Sequence, residues 1–156
     1  MVSVPPDRLK ACINPIDHLC KPDFRHKNDT AQTKDAFIRY RGAMERFSKE
    51  SKLYIKLSGA FSELDTQVLT LPKEKIVENM RPWLDVIFSV FPPERIMFGS
   101  DWPISTMSGL GDKAWKTWHD VVELVLEVYK VSEDGKARIW HGTAIEAYRL
   151  ELSLSL

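Results

Sequence analysis

Three short apolar runs, each closing on a polar side chain and each parted from the next by a long helical pattern, constrain this fold most strongly. The runs are INPIDHL (13–19), LYIKLSG (53–59) and RIMFGS (95–100), and they bring His18, Ser58 and Asp101 to or beside their C-terminal ends. Between them, apolar residues recur at helical spacing: Phe37, Ile38, Met44 and Phe47 first, then Ile76, Val77, Met80, Trp83, Leu84, Ile87 and Phe91. Strands alternating with helices at intervals of roughly forty residues predict βαβ units and a parallel sheet. A (β/α)₈ barrel and an open doubly wound sheet both have this rhythm.

The pattern predicts a helix capped by Thr30 and running to about Lys49. A second helix spans about Lys73 to Phe91, with Pro82 placed to kink or divide it and Pro92-Pro93 to end it. After a Gly/Ser-rich loop to Gly111 comes a long helix from about Asp112 to Tyr129. Two short helices finish the chain, one opened by Ser132 and the other after Gly142-Thr143, before a loose tail at 151–156. The first fifteen residues stand apart from this pattern as an atypical segment.

Composition excludes several function classes. The chain of 156 residues is 44% apolar and 28% charged, an ordinary globular balance that suits one core. Lys plus Arg and Asp plus Glu number 22 each, which argues against nucleic acid or an anionic membrane as partner. Cys12 and Cys20 fit neither a disulfide framework nor a zinc site, and no run resembles a signal peptide or a membrane span. The expectation is a cytoplasmic protein with reduced thiols. The sequon Asn28-Asp29-Thr30 is then silent.

Parallel strands covered on both faces should be apolar throughout, and ligands bind beyond their carboxyl ends. Alternation puts Met97, Gly99 and Asp101 on one face of the third strand, Tyr54, Lys56 and Ser58 on one face of the second, and Ile16 with His18 on one face of the first. Each residue also has a plain structural use. Asp101 suits a backbone cap before Pro103, His18 a satisfied core position, Lys56 a snorkelling or acid-paired position, and Ser58 a turn. No G-x-S-x-G elbow surrounds Ser58, which argues against a Ser58-His18-Asp101 hydrolase triad. His26, His119 and His141 read as solvated, Trp115 and Trp118 as core, and the basic stretch from Arg39 to Lys56 as an exposed helix face.

Taken together, IDHLCKPDF, YIKLSGAFSEL and RIMFGSDWP, with a closing IWHGTAIEAYRL, resemble the amidohydrolase-related family of the amidohydrolase superfamily, and within it the sugar lactonases and pyrone-dicarboxylate lactonases. The likeness runs from Ile16 to about Leu150. It implies a TIM barrel, of which this chain holds roughly the last three βα units, since a whole barrel needs about 250 residues. It also implies that Asp101 is the general base toward water and His18 the group that polarises the substrate carbonyl. Lys21, Lys56, Ser58 and Trp102 become candidates for contacting a small-molecule lactone or sugar acid. Whether a divalent metal such as zinc is used stays open; if it is, His18 and Asp101 are its ligands here. The family's first-strand H-x-H pair does not occur in the sequence. The alternatives are a metal-dependent decarboxylase of the same superfamily and a catalytically silent fragment. Three strands taken alone leave two open sheet edges and an apolar face, and self-association is expected through them.

Overall fold

The computed structural model describes residues 14–22, 24 and 31–150. Strands β1 (Asn14–Ile16), β2 (Leu53–Leu57) and β3 (Ile96–Phe98) form one parallel sheet in that order. Ile16 registers with Ile55, and Ile55 with Ile96. Parallel neighbours require a crossover connection. Here α1 (Ala31–Phe47) joins β1 to β2, while α2 (Thr66–Leu69) and α3 (Lys73–Val90) join β2 to β3. Helix α4 (Ala114–Val128) follows β3, and a last helical run comprises α5 (Glu133–Ala137), a π turn (Arg138–Gly142) and α6 (Thr143–Tyr148).

Strand alternation separates two environments. Ile55, Leu57 and Ile96 are wholly buried in the main core with Met44 of α1, Met80, Leu84 and Ile87 of α3, and Val121, Val122 and Val125 of α4. This is the helical face. On the opposite face, Tyr54 and Met97 pack against Ala147 and Ala144 of α6. The small side chains let α6 lie close, and Tyr54 Oη donates to Glu146 Oε1 at 3.2 Å while Arg138 Nη2 bonds Glu146 Oε2 at 2.5 Å. The apolar residues expected to lie uncovered on this face are therefore sealed by the chain's own last helix.

Several expectations need correction. β1 stops at Ile16, and the segment through residue 20 is a tight turn rather than strand. Pro82 neither divides nor ends α3, because the buried stripe of Ile76, Met80, Trp83, Leu84 and Ile87 keeps the helix docked across it. The final two helices merge through the π turn into one run. Trp115 is half exposed rather than core; it stacks on His119, which stacks in turn on Trp140 at a centroid distance of 4.7 Å. His119 is thus held between two indoles rather than freely solvated. The Thr30 cap, Cys12, His26, the sequon, the first thirteen residues and the tail lie outside the described residues. Among the described residues, no helix is long and apolar enough to cross a membrane.

Candidate active site

The site begins where β1 fails to continue. His18, Leu19, Cys20 and Lys21 have φ of 53, 56, 63 and 47°, a left-handed turn made wholly of non-glycine residues. Left-handed backbone costs an L-residue about 1–2 kcal/mol, so the surroundings must impose it. Leu19 is fully buried in the core, Lys21 N–H donates to His18 O at 2.8 Å, and Tyr40 Oη donates to Leu19 O at 3.1 Å. Gly59 makes room: a Cβ there would lie 2.6 Å from His18 Cβ and Nδ1.

Asp101 arrives from the other side, beyond β3. Trp118 Nε1 donates to Gly99 O at 2.9 Å, and the Asp101 carbonyl accepts from Ser105 N–H at 2.9 Å. Asp101 itself has φ 59°. The two side chains meet at the rim, with His18 Nδ1 3.2 Å from Asp101 Oδ1 and 3.0 Å from Ser58 Oγ. An ionised carboxylate only accepts, so Nδ1 carries the proton toward Asp101 and Nε2 is the remaining ring nitrogen. A nucleophilic triad needs its serine and its aspartate on opposite ring nitrogens. Here both are at Nδ1, and Ser58 is only 1% exposed. Ser58 backs the imidazole and is not placed as a nucleophile.

Lys56 lies one step deeper. Its Nζ is 2.7 Å from Asp17 Oδ1 and 5.4 Å from the centre of the Tyr148 ring. Burial disfavours the ammonium, but the bonds to Asp17 and Tyr148 outweigh it and hold the lysine above its ordinary pKa. Lys56 is therefore a fixed positive charge. A cleft of about 450 Å³ is lined by His18, Lys56, Ser58, Asp101, Trp102 and Tyr148, among others. Of the residues singled out in the sequence, only Lys21 stands apart: it is exposed and 3.7 Å from Glu63 Oε1, and it does not line the cleft.

Asp17 and Tyr148 escape a reading of the sequence. Strand alternation assigns Asp17 and His18 to opposite faces, yet after the turn His18 lines the cleft and Asp17 reaches Lys56, a residue of its wall. Tyr148 reaches it only because α6 folds back over the sheet.

A catalytic zinc site takes about three protein ligands. Among the described residues no group of three or more His, Cys, Asp or Glu could hold a metal ion, and His18 Nδ1 is engaged with Asp101 itself. The donors present do not make a metal site, and no step is routed through one.

With this geometry in hand, the likeness to known proteins is specific. The family model described as Amidohydrolase matches residues 16–150. The chain is 28% identical over 136 residues to an L-rhamnono-gamma-lactonase of Scheffersomyces stipitis, covering 86% of this chain and 40% of the relative. It is 28% identical over 137 residues to an L-fucono-1,5-lactonase of Burkholderia multivorans, covering 86% and 42%. An amidohydrolase from B. multivorans, crystallised with bound HEPES, superposes with a TM-score of 0.70 at 27% identity, covering 88% of this chain and 44% of that one. A crystal form with bound zinc gives 0.69. The chain spans about two-fifths of the length of the relatives it matches. Residues 16–150 carry the family's pattern from the His18 turn to α6, and the chain belongs to the amidohydrolase family.

Proposed function

We propose that residues 16–150 are the closing three βα units of an eight-stranded barrel that hydrolyses a sugar-acid lactone or similar cyclic ester. The observation that carries this reading is the His18–Asp101 pair at the carboxyl rim of a parallel sheet, in a chain of the amidohydrolase family. The names of the curated relatives supply the substrate class.

Asp101 takes a proton from water as the water oxygen attacks the lactone carbonyl. The imidazolium form of His18 is the one that acts, donating through Nδ1 to Asp101 and through Nε2 to the carbonyl oxygen, where negative charge develops. The tetrahedral intermediate collapses by breaking the ring C–O bond, and the proton held by Asp101 passes to the departing alkoxide. The product is the open hydroxy acid. The pair Lys56–Asp17 offers one donor and one acceptor suited to substrate hydroxyls, and Trp102 and Tyr148 border them.

Acid release from L-rhamnono-γ-lactone and L-fucono-1,5-lactone, followed at fixed pH with the purified chain, tests the reading. Turnover above the spontaneous rate supports it. A folded chain with no turnover of either lactone makes this a silent piece, and concentration-dependent mass would then point to self-association through the edges of β1 and β3.

A further inference from the structure

We propose that Tyr40, on α1 and outside the cleft, is a positioning residue for His18: its phenol holds the left-handed turn that aims the imidazole at Asp101. The role of His18 in catalysis rests on the reading above; the positioning of its ring is tested separately.

Four successive residues at positive φ have no local reason to stay there. His, Leu, Cys and Lys each prefer the right-handed or extended regions. The bond from Lys21 N–H to His18 O lies within the turn and moves with it. Burial of Leu19 fixes one side chain without fixing its peptide plane. Tyr40 does what neither can, tying the Leu19 carbonyl, the group next to His18, to a helix of the main core. Its own ring is locked, 5.3 Å from Trp83 and edge-on at 85°, and only 9% exposed. Burial, and then the nearby Cys20, keep the phenol far from ionising, so it remains a donor. Water has little access to replace it. Trp118 serves Asp101 in the same manner through Gly99 O, so both members of the pair are held from the helical layer.

Tyr40→Phe keeps the ring against Trp83 and removes one hydrogen bond. In the ¹⁵N-labelled chain, the neutral form of the wild-type His18 ring should show a fixed Nδ1–H tautomer. In Tyr40→Phe that signature should give way to an averaged ring. Where lactone turnover is present, kcat should fall about tenfold with KM held within about twofold, the size expected for one lost bond acting through misalignment. Tyr129→Phe, which deletes the phenol bond to Asp85, should change neither reading. Adding Cys20→Gly to Tyr40→Phe should restore the tautomer, because glycine accepts positive φ without a partner. An unchanged His18 signature in a folded Tyr40→Phe would overturn the proposal, as would an equal disturbance in Tyr129→Phe. If Tyr40→Phe does not fold, the double variant decides: folded with the tautomer present supports positioning, and unfolded overturns it. A wild type without turnover whose tautomer is lost in Tyr40→Phe rejects the catalytic reading and keeps the positioning one.

Discussion

On the helical face of the sheet, Ile55, Leu57 and Ile96 are fully buried under three helices, whereas on the other face Tyr54 packs against α6 and Lys56, Ser58, Met97 and Gly99 line the cleft. The helical face is uniformly apolar. The cleft face is graded: Tyr54 and Met97 are closed off by α6, and polarity begins at Lys56 and rises to His18 and Asp101 at the rim. One face therefore supplies the main core and the other the polar groups of the proposed site, and a period of two residues separates them. Damage to each should be read by a different measurement.

The largest effect on stability should come from the helical face. Leu84→Ala, at a position with no exposure, is expected to lower unfolding free energy by about 2–5 kcal/mol, seen as an earlier urea midpoint. The cleft should respond less in stability and more in geometry. Gly59→Ala imposes φ 68° on a residue with a Cβ, at about 1–2 kcal/mol, and pushes that Cβ into His18. Its His18 ring signals should move, whereas those of Leu84→Ala under folding conditions should not. If both variants shift the midpoint alike and neither moves His18, the division between the faces is wrong.

Cys20→Gly should go the other way. Removing a Cβ from a left-handed position at φ 63° is expected to stabilise by about 1 kcal/mol, raising the urea midpoint. A fall instead would mean that the turn is not left-handed. The smallest effect concerns α6. The bond from Arg138 holds the Glu146 carboxyl below its ordinary 4.5, so the unfolded state binds the proton more readily than the folded one. That contribution is present above pH 4.5 and fades as pH falls through the lower folded value. Glu146 is more than half exposed, so solvent weakens the effect. Amide protection factors across residues 143–148, taken against the intrinsic rate at each pH, should fall below pH 4.5 before those of the main core, and Glu146→Gln should abolish that dependence.

The division of the faces was legible in the sequence because Ile55, Lys56, Leu57 and Ser58 alternate apolar with polar, and counting by twos from Lys56 and Met97 leads to Ser58 and Asp101. His18 reached the same rim by a route that counting could not foresee. A left-handed turn of His, Leu, Cys and Lys opposes every local preference, and its restraint comes from Tyr40, far along the chain. Trp115 and Trp118 share helical spacing, yet only Trp118 meets a carbonyl of the sheet, Gly99 O. Nor does any local signal in Ala144 and Ala147 reveal that their small size lets α6 close onto Tyr54 and Met97.

Asp101→Asn tests the central claim most directly, with lactone hydrolysis and urea unfolding measured on the same preparations. Asparagine keeps an acceptor oxygen for His18 Nδ1 and removes the base. The account predicts that turnover falls by about 10²–10⁴-fold while the unfolding midpoint stays close to the wild-type value. An Asn variant that unfolds much earlier while its folded fraction keeps the wild-type rate would make Asp101 a structural cap and contradict the account.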